Sequence, residues 1–216
     1  MYRELPFWDK LTETEKEKIE SNIIIKQYEK GYQMIHCESG CDGVMLIRKG
    51  IMRVYITSEE GREVTLYRLF EGDSCVLSAA GLLDAITFDV MIEAVEDSEV
   101  IMIPTPILKA NFYRHPEIEA YIYRTAAERF SDVMWIMQQI LFLSIDKRVG
   151  HFLWDEYSRT GSLIITLKHE DIAKYIGSAR EVVSKVLKYY QGEGIIALSR
   201  GKIEITDTRK LKEYVL

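Results

Sequence analysis

The 216-residue sequence predicts an α+β chain: a β-rich N-terminal half, one long central helix and a small mixed C-terminal part. Three observations carry this reading. Apolar residues alternate with period two between Ile23 and Pro104, the period lengthens to that of a helix after Pro116, and the sign of the charge reverses near residue 144. Residues 144–216 hold 13 basic and 10 acidic side chains, whereas residues 1–143 hold 15 and 24. The net charge of −6 therefore conceals a basic part and an acidic part, which should have different partners.

Composition narrows the class further. An apolar fraction of 47% is ample for buried cores and excludes a disordered chain. No apolar run approaches the ~18 residues that cross a bilayer, and Met1-Tyr-Arg-Glu-Leu-Pro6 lacks the basic-then-apolar profile of a secretory signal, so a cytoplasmic protein with no membrane partner is expected. Three cysteines are too few and odd in number for a secreted disulfide framework, and the absence of a Cys-x-x-Cys pair excludes a zinc ribbon.

The elements follow in order. Met52, Val54 and Ile56, then Val64 and Leu66, then Val90, Ile92 and Ala94, then Val100 and Met102 read as strands with one buried face. Ser58-Glu-Glu-Gly61 is read as a hairpin loop, and Gly31, Gly43, Gly50, Gly61 and Gly72 as turn glycines, so residues 1–116 form a β-roll of about eight strands. Residues 117–143 form one helix. Tyr123, Ala127, Phe130, Met134, Met137 and Leu141 recur at alternating spacings of four and three, the seam of a coiled coil. Val133, Ile136, Ile140 and Leu143 make a second stripe, so one stripe should pack within the chain while the seam meets a second copy. Ser144-Ile-Asp146 reads as a hinge into the basic part, residues 144–216.

His169 to Lys188 has the spacing of a helix-turn-helix. Ala173 is small where two helices cross, Gly177 supplies the turn, and Ile172, Ile176, Val183, Val186 and Leu187 face inward. Ser178 is expected to cap the second helix, with Glu181 completing a capping box. The outward face then presents Arg180, Glu181, Ser184, Lys185 and Lys188 to a major groove, where an arginine or lysine donates to guanine and a glutamate accepts from cytosine. A strand at Ser162–Thr166 and a hairpin from Ile195 to Ile205 make the motif winged, with Arg200 and Lys202 at the wing tip, where they can contact phosphate.

With these residues in view, the chain resembles the Crp/Fnr (catabolite activator / fumarate-nitrate regulator) family of bacterial transcription factors over essentially its whole length. The resemblance implies a cyclic-nucleotide-binding-like β-roll as sensor, a dimerisation helix and a winged helix-turn-helix that binds double-stranded DNA at a pseudo-palindromic site, with RNA polymerase as a further partner if the protein activates. Gly177-Ser-Ala-Arg-Glu-Val-Val-Ser-Lys185 looks like the family's recognition-helix signature, which implies base-reading roles for Arg180, Glu181 and Lys185. Lys185 stands where the family more often has arginine, and it lacks arginine's bidentate fork.

The sensor departs further from the family pattern. Where cyclic-nucleotide binders carry Gly-Glu-Leu and then Arg-Ser or Arg-Thr, this chain has Gly72-Asp-Ser-Cys-Val-Leu-Ser78 and Phe88-Asp89. No Lys or Arg lies between Arg68 and Lys109, so a bound phosphate would lack a charged partner, which argues against cyclic AMP. Cys37, Cys41 and Cys75 are too few for an iron–sulfur cluster of the family's type. A haem, with His36 or His115 as axial ligand, or a small apolar ligand lined by Gly72, Cys75, Val76, Leu77, Ser78 and Phe88, remains open, as does a thiol switch at Cys75. Two other classes compete. A cupin-type metalloenzyme would need converging ligands, but His36 has no histidine nearby, so no catalytic role is expected. A cyclic-nucleotide-type module whose winged helix docks protein would not need the basic outward face at Arg180, Lys185 and Lys188.

Overall fold

The computed structural model describes residues 1–35, 43–76 and 90–215. By contacts the chain forms two compact units, one comprising Met1–Ile56 and Leu66–Val133, the other Thr57–Thr65 and Met134–Leu216.

The first unit is the β-roll. Strands β1 (Ile24–Tyr28), β2 (Gln33–Ile35), β3 (Gly43–Lys49), β4 (Met52–Thr57), β5 (Glu63–Leu69), β6 (Ser74–Cys75), β7 (Met91–Ala94) and β8 (Ser98–Pro104) build two four-stranded sheets, ordered β1-β8-β3-β6 and β2-β7-β4-β5. Inward side chains, among them Met45, Ile47, Met52, Val54, Leu66, Ile92, Val100 and Met102, form the core between the sheets. The alternating residues of β3 and β8 are apolar as well. Val44, Leu46, Ile101 and Ile103 point to the other face, which Phe7, Trp8, Leu11, Ile19, Leu108, Ile118 and Ile122 cover. A strand buried on both faces reads as a continuous apolar run instead of an alternation, as β3 does.

Helix α1 (Glu13–Glu20) begins with a complete capping box, in which the Thr12 hydroxyl accepts from the Glu15 amide and the Glu15 carboxylate accepts from the Thr12 amide at 2.9 Å. A short helix α2 (Thr105–Lys109) leads to α3 (Pro116–Phe142), 27 residues and about 40 Å long.

Two expectations about the roll need correction. Gly43 does not turn the chain: it lies within β3, and a Cβ there would come within 2.5 Å of the Ile103 carbonyl oxygen, so close strand approach is what requires glycine. Gly31, Gly50, Gly61 and Gly72 do adopt positive φ. Ile56 is exposed, whereas Arg53 and Tyr55, on the face the alternation assigned to solvent, are buried. Arg53 pairs with Glu93 across β4 and β7, and its guanidinium lies 4.0 Å from the Tyr55 ring centroid.

On α3, Ile118 and Ile122 enter the outer core and Val133 packs against the inner one, whereas Ile140 of the expected second stripe is 39% exposed. The in-chain stripe is thus shifted toward the N-terminus of the helix. Tyr123, Phe130, Met134, Met137 and Leu141 of the seam are exposed, Phe130 at 64% and Leu141 at 66%. No helix among the described residues is long and apolar enough to cross a membrane.

The second unit contains α4 (Ile145–Thr160), β9 (Ile164–Ile165), α5 (His169–Ile176), α6 (Arg180–Gly192), β10 (Ile196–Ser199), β11 (Lys202–Ile205) and α7 (Thr208–Glu213). Its sheet order is β10-β11-β9. Ser144 precedes α4 as its N-cap residue, so Ile145 and Asp146 are helical and the expected hinge reduces to the two residues between α3 and α4. The expected strand Ser162–Thr166 shortens to two residues. Val149, Leu153, Ile172, Val183, Leu187, Tyr190, Ile203 and Leu211 are central in its core, and Phe152 stacks on Tyr175 at 5.3 Å.

Candidate nucleic-acid interface

Helices α5 and α6 form the helix-turn-helix. Gly177 ends α5 in the left-handed region at φ 60°, and the Ser178 amide donates back to the Ala173 carbonyl at 2.9 Å, closing a tight helix end. Ser178 is therefore part of the turn. The residue capping α6 is Ala179, whose side chain offers no acceptor, and Arg180 is the first helical residue. This corrects the expected capping box of Ser178 and Glu181: with the helix starting at Arg180, Glu181 is only its second residue. The N-terminus of α6 is left without a side-chain cap.

The C-terminal end of α5 is closed by side chains instead. The Thr65 hydroxyl donates to the Lys174 carbonyl at 3.1 Å, Arg148 donates to the Ile176 carbonyl and Arg62 to the Gly177 carbonyl. Two guanidinium groups thus satisfy the carbonyls at the negative end of this helix. Glu63 pairs with Lys174 at 3.5 Å. Burial, and secondarily the charge of Arg62, push the Arg148 pKa down. None of Arg62, Thr65 and Arg148 was singled out from the sequence as supporting the motif. The signal was too weak to find them, because they meet the end of α5 through its backbone carbonyls.

On α6, Val183, Val186, Leu187 and Tyr190 are buried. Arg180, Glu181, Ser184, Lys185 and Lys188 line one shallow concave surface on the opposite side, with the four charged residues exposed. Among the described residues Arg180, Lys185 and Lys188 have no carboxylate partner. Ser184 is half-buried and meets the His169 ring, Nδ1 to Oγ, at 2.9 Å. Arg200 and Lys202 flank the β10–β11 turn and are exposed.

Residues 147–214 match the model of the Crp-like helix-turn-helix domain, and residues 25–112 match that of the cyclic nucleotide-binding domain. A solved structure of a crp/fnr family protein from Eubacterium rectale is 42% identical, covers 97% of both chains and superposes with a TM-score of 0.88. The chain belongs to the Crp/Fnr family. Its curated relatives include the transcriptional regulator SdrP of Thermus thermophilus, 28% identical over 80% of this chain and 83% of that protein. The cyclic AMP receptor protein of the same organism is 26% identical over 78% and 77%. This Crp/Fnr chain is accordingly a DNA-binding transcriptional regulator, with the β-roll, long helix and helix-turn-helix of its family.

Three of the six residues expected to line an effector pocket, Gly72, Cys75 and Val76, lie among the described residues. Gly72 is exposed at a turn, Cys75 at the end of β6 is fully buried in the inner core, and Val76, the residue that follows the strand, belongs to the outer core. Leu77, Ser78, Phe88 and His36 lie outside the described residues, as do Cys37 and Cys41. His115 faces Glu15, Nε2 to Oε2 at 3.0 Å, so that ring is engaged in packing α1.

The sequence also missed a cation. Arg129 of α3 lies 3.9 Å from Asp73 and 3.0 Å from Asp132, with its guanidinium 5.3 Å from the Tyr67 ring centroid. Among the described residues, its Nε and the Tyr67 hydroxyl are buried without a hydrogen-bond partner. Burial pushes the Tyr67 pKa well up, with Cys75 adding to the shift. A charge more than 50 residues downstream cannot be placed by local spacing, which is why the segment after Arg68 read as devoid of cations.

Proposed function

We propose that the protein acts in the cytoplasm as a homodimer that reads a pseudo-palindromic duplex with its two copies of α6. Half-sites about one helical turn apart follow from that geometry. Arg180, Glu181 and Lys185 are the base-reading residues, Ser184 stands among them on the same surface, and Ser178, Lys188, Arg200 and Lys202 position the backbone. The observation that carries this is the concave face of α6, where three cations stand without carboxylate partners among the described residues. The uncapped N-terminus of the helix suits a phosphate as well. Where the regulator activates transcription, RNA polymerase is its further partner. Selection from a randomised duplex library, followed by salt titration of the winning site, is the test: a two-fold symmetric consensus and a steep salt dependence are expected, and binding without sequence preference would overturn the reading.

The dimer rests on the exposed seam of α3 from Tyr123 to Leu141. Met134→Lys would place an ammonium in that seam, and sedimentation should show dissociation. A variant as firmly dimeric as the parent would show that another face joins the subunits.

For the effector, the residues around Asp73 do not suit a cyclic nucleotide. The cation present there, Arg129, is already held by Asp73 and Asp132, so a phosphate would have to displace two carboxylates to reach it. An uncharged small ligand or a haem-like group fits the neutralised surroundings better. Calorimetric titration with cyclic AMP should show no saturable binding; micromolar binding that raises DNA affinity would reverse this assignment.

A further inference from the structure

The hydrogen bond between His169 and Ser184 joins the first residue of α5 to the middle of α6. Ser184 is the only hydroxyl among the five side chains lining the α6 surface, and Arg180 and Lys188 stand one turn before and one turn after it. A serine hydroxyl has one proton to donate and lone pairs to accept with. Whichever direction the 2.9 Å contact to His169 runs decides which capacity is left for a second partner.

With the ring protonated, Nδ1 carries hydrogen and must donate to the Ser184 oxygen. The serine O–H is then free to donate outward. With the ring neutral and its proton on Nε2, Nδ1 accepts the serine proton, and Ser184 offers only lone pairs. One side chain thus presents opposite faces to a base edge in the two states.

We propose that His169 is a positioning residue for DNA recognition, which holds Ser184 on the α6 surface and, through its own protonation, sets whether that hydroxyl donates to or accepts from a base. The inference rests on α6 being the reading helix. The charged groups around His169 are Arg180 and Lys188 of α6 and, on its own segment, Lys168, Glu170 and Asp171, of which Asp171 is turned back to accept from the Lys168 amide at 3.1 Å. Partial burial first, then Arg180 and Lys188, push the pKa of the ring down in the free protein. A DNA phosphate brought to the same surface opposes those two cations and favours the protonated ring. DNA binding and proton uptake at His169 are therefore coupled, and binding strengthens as pH falls.

The experiment uses the full-length protein and a set of duplexes derived from its library-selected site, with each base of one half-site varied in turn, measured at pH 5.5 and pH 8.0. The wild type should favour a base acceptor such as guanine at one position at the lower pH and a base donor such as cytosine at the higher, a change of roughly fivefold in relative affinity. His169→Asn, which cannot titrate, should abolish the change in base preference and flatten the pH dependence of affinity. Ser184→Ala should abolish the change in preference but keep the pH dependence of affinity, because the charge of His169 remains. A wild type that binds DNA with one base preference at both pH values, or a His169→Asn variant that shifts as the wild type does, would overturn the proposal. A wild type that selects no duplex at all would instead overturn the reading of α6 on which the proposal depends.

Discussion

Two sets of positive charges, the arginines inside the β-roll unit and the cations on α6 of the other unit, are treated in opposite ways. In the β-roll unit Arg53 is paired with Glu93 and stacked on Tyr55, and Arg129 is held between Asp73 and Asp132. On α6, Arg180, Lys185 and Lys188 stand exposed, with no carboxylate partner among the described residues. A cation already compensated inside the protein has little left to offer an anionic ligand, whereas an uncompensated one on a concave surface gains most from a polyanion. The contrast explains how a chain of net charge −6 binds DNA.

The comparison can be broken first at the buried pair. Glu93→Ala removes the carboxylate facing a nearly fully buried guanidinium, and chemical denaturation of the variant should show a loss of about 3 kcal/mol or more. A loss near zero would mean that the roll does not depend on neutralising Arg53. The next largest effect is expected at the uncompensated surface. Arg180→Ala should weaken binding to the selected duplex by about 1–3 kcal/mol and relax preference at one base pair, with unfolding unchanged. Were the variant instead to weaken all sequences equally, Arg180 would be a phosphate contact.

Smaller still is Lys202→Ala at the wing tip. Here all duplexes should weaken alike, and the slope of log affinity against log salt should fall by about one. The smallest effect concerns pH and the N-terminal helix of the roll unit. Hydrogen bonds from the Thr12 amide and hydroxyl, with His115 as a lesser contributor, lower the Glu15 pKa from 4.5 to about 2. Its contribution to stability is therefore complete above pH 4.5 and is lost as pH falls toward 2. Glu15→Gln should flatten the stability profile in that window while leaving DNA affinity at neutral pH untouched; an unchanged profile would mean that another group governs acid unfolding.

Much of the candidate interface was legible from local spacing. Gly177, the inward Ile172, Val183 and Leu187, and the outward Arg180, Lys185 and Lys188 all follow from a helical period acting over a few residues. The wing hairpin at Arg200-Gly201 was legible from a turn glycine set between two short apolar-alternating runs. The capping of α6 was not, because Ser178 and Ala179 are neighbours and only the tight end of α5 at Gly177 decides which of them precedes the helix.

The sequence by itself determined the order of β-roll, long helix and winged helix-turn-helix, the sign of the charge on each part and the apolar seam of α3. These are properties of period and composition, which act along the chain. Only the tertiary structure decided that Arg129 reaches Asp73, that Arg53 is buried against Glu93, that Arg62 and Arg148 close the end of α5, and that His169 meets Ser184. Each of those contacts joins residues from separate helices, strands or turns, and such meetings are set by how whole elements pack. A charge that looks free in the sequence is neutralised or left open by that packing: Arg53 and Arg129 are paired, whereas Arg180, Lys185 and Lys188 stand without a carboxylate partner among the described residues.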